Sequence, residues 1–217
     1  MKSVFWSFIL CLSFLGPAFA AMNDYDFIEL CGSGSLQKIN YAIKNGANVN
    51  AGVGDRTPLM SAAFENPDPE VITALINAGA DVNAKDHYEE TALFWAARNP
   101  NIGVITTLIK AGANINAKAE GGTTPLMLSA WRNPNPEVTA ALIQAGAAID
   151  VRSPNGETPL IWAAKNNPNP EVIKTLLEFG ADAKIMDVDD KKAIDYAKEN
   201  KNLANTDVFR RLNDASF

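Results

Sequence analysis

Residues 57–84 read TPLMSAAFENPDPEVITALINAGADVNA, and this stretch decides the fold. Thr57 is placed as a helix N-cap. Its hydroxyl can accept a bond from an orphaned N–H, and Pro58 at the first helical position loses nothing by lacking one. Leu59, Met60, Ala62 and Ala63 give a short first helix an apolar, closely packing surface. Asn66-Pro67 ends it, because the residue before a proline is pushed out of the helical region. Pro69 and Glu70 start a second helix, running to Asn77, with Val71, Leu75 and Ile76 inward at helical spacing. Gly79 sits just past its end, where a left-handed residue closes a helix at low cost. Ala80 to Ala84 is extended and leads into a turn.

Working outward, the stretch recurs. A Gly followed by Ala stands at Gly46, Gly79, Gly112, Gly146 and Gly180, at spacings of 33, 33, 34 and 34 residues. In phase with it run Thr57-Pro58-Leu59-Met60, Thr91-Ala92-Leu93-Phe94, Thr124-Pro125-Leu126-Met127 and Thr158-Pro159-Leu160-Ile161. A period of this size is a stack of supersecondary units, each too short to be stable alone.

These motifs resemble the ankyrin repeat, whose unit runs T-P-L-H-x-A-A through E-V-V-x-L-L-L to G-A-D-V-N-A. The likeness is close over about residues 46–186 and looser over the rest of the chain after residue 20. It implies an all-α repeat solenoid: an array of about six helix-turn-helix units with short β-hairpin-like connecting loops. The units fall at about 22–50, 51–84, 85–117, 118–151, 152–185 and 186–217, in a single domain over 21–217. The first and last are degenerate and polar, as the caps of an open array need to be.

The chain departs from the family pattern twice. The usual His after Thr-Pro-Leu is Met60, Phe94, Met127 and Ile161, so apolar packing replaces a recurring polar tie. The turn between helices is rewritten as Asn-Pro-Asp/Asn-Pro-Glu at 66–70, 133–137 and 167–171, with a shorter variant, Asn99-Pro100-Asn101-Ile102-Gly103. It reads as a rigid surface turn.

Residues 1–20 read as a secretory signal peptide: Lys2, an apolar run from Val4 to Leu15, a Gly16-Pro17 break, and Ala18-Phe19-Ala20 before the cleavage site. The rival reading is an uncleaved anchor, for which the run is short. Phe8-Ile9-Leu10 before Cys11 lacks the small residue of a lipoprotein site. Cleavage leaves Cys31 without a disulfide partner, as a buried small hydrophobe. The expected location is periplasmic or secreted, in a bacterium, with no stable membrane association after cleavage.

The net charge of −6 and the absence of a Lys/Arg run argue against a nucleic-acid surface. One histidine and two cysteines argue against His-cluster zinc sites and disulfide frameworks. His87, in Asp86-His87-Tyr88-Glu89-Glu90, has no matching nucleophile and reads as an exposed turn residue. Asp187-Val188-Asp189-Asp190 fails as a calcium loop, since Lys192 and Lys198 stand at the required Gly and Glu positions; it reads as a solvated hairpin. Gly32-Ser33-Gly34-Ser35 lacks the context of a phosphate loop. No catalytic, cofactor or metal residues are assigned.

The resemblance implies a partner surface on the hairpin tips, through Val53, Arg56, His87, Tyr88, Glu90, Glu120, Asn155 and Glu157. It adds the concave helix face, through Phe64, Arg98, Trp131, Arg132 and Lys165. Trp95 and Trp162, at the residue after the missing His, are expected in the core with Ser61 and Leu128. The expected function is a non-enzymatic, exported module that binds an unidentified protein as a monomer. The rivals are a small-ligand or enzyme-like site in the concave groove, and an inhibitor or chaperone of a co-exported enzyme.

Overall fold

A computed structural model describes residues 22–53, 56–203 and 206–217; the expected signal peptide lies outside them. Twelve α-helices follow in successive pairs among the described residues: α1 (Asp24–Ser33) and α2 (Leu36–Lys44), α3 (Pro58–Glu65) and α4 (Pro69–Asn77), α5 (Ala92–Ala96) and α6 (Ile102–Lys110). Then come α7 (Pro125–Arg132) and α8 (Pro136–Gln144), α9 (Pro159–Asn166) and α10 (Pro170–Glu178), α11 (Ala193–Ala197) and α12 (Asp207–Ala215). First helices pack on first helices and second on second, from each pair to the next, so the chain is an all-α solenoid of two rows. None of these helices is long and apolar enough to cross a membrane.

The capping read from the sequence forms. The hydroxyls of Thr57, Thr124 and Thr158 accept from the N–H of Met60, Met127 and Ile161, with Pro at the first helical position each time. Thr91 forms no such bond, and its helix is only five residues long. The marker glycines after the second helices, from Gly46 to Gly180, all have φ between 86° and 96°, the left-handed closure expected of them.

The core lies between the rows. Leu59, Leu93, Leu126 and Leu160 are buried from one side, and Leu75, Leu108, Leu142 and Leu176 from the other, each worth about 1.5–3 kcal/mol. Met60, Phe94, Met127 and Ile161 are fully buried as the apolar substitution predicts. In α4 the inward trio is Val71, Ile72 and Leu75, with Ile76 only half-buried.

The connecting loops are hairpin-like without strands: among the described residues there is an isolated bridge between Val53 and Arg56 and no strand. The later tips are tight turns, as where Asp86 N–H donates to Glu90 O at 2.9 Å and Glu89 N–H donates to Asp86 O at 3.1 Å. Two expectations need correction. The Asn-Pro turns are not surface features throughout. Asn66, Asn99, Asn133 and Asn167 are buried, and each Nδ2 donates to backbone carbonyls of the preceding pair. The backbone turn alone did not reveal that reach. Finally, Trp95 and Trp162 are only partly buried and pack against the core from outside it.

Candidate functional site

Stacking in phase brings the residue seven places after one N-cap against the residue four places after the next. Phe64 thus meets Trp95 edge-to-face, with ring centroids 5.5 Å apart, and Trp131 meets Trp162 the same way at 5.6 Å. Edge-to-face pairs of this kind add about 0.5–1.5 kcal/mol beyond their buried area. In the last step Lys165 stands over the Tyr196 ring at 4.4 Å, a cation replacing an aromatic edge.

Cations cover these rings. Arg56 lies over Trp95 at 4.5 Å and Arg98 over the same ring at 5.2 Å, while Arg132 lies over Trp131 at 3.9 Å. Acids from the tips hold the polar edges. Trp95 Nε1 donates to Asp86 Oδ2 at 3.2 Å, and Trp162 Nε1 donates to Glu157 Oε2 at 2.9 Å. Asp187 accepts from the Tyr196 hydroxyl in the equivalent place. Arg98 pairs with Glu90 at 2.9 Å, Lys165 pairs with Glu157, and Arg56 reaches Glu65 at 3.8 Å.

The electrostatics follow from this enclosure. Burial pushes the Glu90 carboxyl up from its ordinary range, against the opposing pull of Arg98. For Asp187 burial works in the same direction, but the Tyr196 hydroxyl and the N–H groups of Lys191 and Asp189 outweigh it and leave the carboxyl low. Asp187 is therefore buried and bonded rather than a solvated hairpin residue. Cys31, fully buried, has its thiol pushed up to about 12 by desolvation, which fits packing and not reactivity.

The structure brings Arg56, Phe64, Glu90 and Arg98 together around Trp95, and Trp131, Glu157 and Lys165 around Trp162, with Arg132 over Trp131. A cavity of about 160 Å³ opens between Trp131, Glu157, Trp162, Lys165 and Asn166. The other candidates stand at the tips. Tyr88 is 57 % exposed with its ring against His87, Glu120 N–H donates to Tyr88 O at 2.8 Å, and Asn155 O accepts from Val188 N–H at 3.0 Å. Val53 is exposed beside the Arg56 bridge. Lys110, Gln144 and Glu178 are exposed on the second-helix row.

Sequence reasoning missed Trp95, Trp162, Tyr196, Asp86 and Asp187 as members of this strip. The signal was present as an acid five or nine residues before an aromatic: Glu157 to Trp162, Asp86 to Trp95, Asp187 to Tyr196.

No curated protein matches the chain in sequence. The family model for ankyrin repeats, three copies long, matches residues 61–151 and again residues 126–214. Together these matches span more than half of the chain and coincide with the stacked helix pairs that build the aromatic strip. The chain belongs to the ankyrin-repeat family.

Proposed function

We propose that this chain is an exported, non-enzymatic module that binds one protein partner through the tips and first-helix strip just described. Ankyrin repeats are in general protein–protein interaction modules. The observation that carries the reading here is the strip itself: three half-buried tryptophans, each pinned by a hydrogen bond or a stacked cation. Trp and Arg are the residues that dominate interface hot spots. Fixing their rotamers beforehand lowers the ordering cost of binding. The module acts as a monomer outside the cytoplasm, its leader removed after Ala20.

Site-specific photo-crosslinking in an exporting bacterial host tests the surface. A crosslinker at Tyr88 or Arg132 captures the partner, and one at Lys110 or Gln144 on the second-helix row does not. The reverse pattern overturns the reading. N-terminal sequencing tests export: a chain starting at Ala21 supports it, and Met1 retained in the membrane fraction refutes it.

A further inference from the structure

The cavity beside Trp131 and Trp162 is specific enough to say what enters it. Its volume of about 160 Å³ falls below the roughly 300–1,000 Å³ of small-molecule sites. It is the size for one side chain. Its walls are two indole rings, and the polar atoms between them are already engaged. Trp162 Nε1 is bonded to Glu157, and Trp131 Nε1 donates to the Asn166 amide oxygen at 3.0 Å once that amide is turned to satisfy both groups. The two Glu157 oxygens are taken by Trp162 and Lys165, so its charge is neutralised inside the protein. What remains is apolar.

The charge beside it is not balanced in the same way. Along the strip Arg56, Arg98 and Lys165 each have a carboxylate, but among the described residues none pairs with Arg132. Its guanidinium lies over the Trp131 ring at 3.9 Å at the exposed end of α7, with its N–H groups unbonded to any described residue. Lys191, over Tyr196 at 5.2 Å on the next pair, also lacks a carboxylate among the described residues. Neither cation lines the cavity, but Arg132 lies over the Trp131 ring that walls it, so an apolar anchor in the cavity with an acid next to it complements both features.

We infer that the partner presents a segment with one aromatic or large aliphatic side chain that fills the Trp131–Trp162 cavity, next to an Asp or Glu that pairs with Arg132. This rests on the interaction reading above and names the chemistry of its central contact.

The test uses the purified chain and capped hexapeptides, Gly-Ser-Phe-Asp-Gly-Ser and the same sequence with Lys for Asp or Gly for Phe. Indole N–H resonances report binding, assigned through Trp131→Phe and Trp162→Phe. The Phe-Asp peptide moves the Trp131 and Trp162 signals saturably and leaves Trp95 still, and it binds at least about fivefold tighter than either control. Arg132 is exposed, so Arg132→Glu keeps the fold and reverses the preference toward the Phe-Lys peptide. Absence of saturable shifts at these two indoles, or a preference that survives Arg132→Glu, overturns the inference. Crosslinking separates the two readings. A partner captured at the strip while the peptides fail refutes the anchor alone; peptide binding with no partner at the strip refutes the interaction reading alone.

Discussion

Asn133 donates its side-chain Nδ2 to the backbone carbonyl of Ala97 at 2.8 Å, reaching from one helix pair into the one before it. The same amide reaches Asn99 O at 2.9 Å, and its Oδ1 accepts from Asn135 N–H at 2.9 Å. Asn66, Asn99 and Asn167 repeat the arrangement, and Asn200 carries it to the last pair. Where the family pattern has a His tie after Thr-Pro-Leu, this chain has apolar side chains, and the asparagine ladder supplies polar ties between pairs.

Asn133→Ala leaves two buried carbonyls without a donor and one N–H without an acceptor. It is expected to cost about 2–4 kcal/mol. Asn135→Ala, at the half-buried cap of α8, loses only exposed bonds, from Glu137 N–H and to Pro100 O, and is expected to cost about 1 kcal/mol. Urea unfolding of the two variants compares them, and equal losses would remove the ladder from the account of stability.

The repeat was legible because its signals are local. Thr57 caps Met60 three residues away and Gly79 closes the helix just before it, so reading a few residues suffices. The ladder was not, because Asn66 bonds to Cys31 O, 35 residues back, while Asn-Pro already has a complete local explanation. Trp95 and Trp162 were misplaced for a related reason. Their position is buried when occupied by Ser61 or Leu128, but an indole is too large for that space and leans out onto Asp86 or Glu157. Residue size changed the face, and the period alone carries no size.

Thr91 is the exception among the caps. Its Oγ1 is buried and has no hydrogen-bond partner among the described residues. Thr91→Val removes a desolvated hydroxyl while keeping its shape, so stability is expected to hold or rise by up to about 1 kcal/mol. Thr124→Val, which breaks a formed cap, is expected to lose about 1 kcal/mol. Thermal melts decide it, and a comparable loss at both sites would mean that Thr91 has a partner in solution.

Asp187 sets a pH dependence. Its carboxyl is held below the ordinary 3.8 by the Tyr196 hydroxyl and two backbone N–H groups, against the upward push of burial. A depressed folded-state value means that the stabilisation is fully present above 3.8 and is lost as pH falls through the folded-state value. Asp187→Asn is therefore expected to melt lower than the parent at pH 7, with the gap closing as the pH is lowered below 3.8. A gap independent of pH would show that shape, not charge, is what Asp187 contributes.

The binding strip separates surface loss from unfolding. Trp131 is half-buried, in edge-to-face contact with Trp162 and with Arg132 over its ring, and it packs on the core from outside, so truncating it empties the strip. Tyr88 is exposed at a tip and touches only His87 by ring contact. Trp131→Ala and Tyr88→Ala are each expected to weaken partner binding by at least about 1 kcal/mol. The melting temperature of Tyr88→Ala should stay near the parent's. Lys110→Glu serves as the control on the second-helix row. Glu178 is a poorer one, because it faces Arg211 at 3.5 Å and its reversal disturbs the contact between α10 and α12. Calorimetric titration of the captured partner against these variants gives the answer. Sensitivity at Lys110 with indifference at Trp131 and Tyr88 would move the interface to the second-helix row and leave the aromatic strip as a stacking device between pairs.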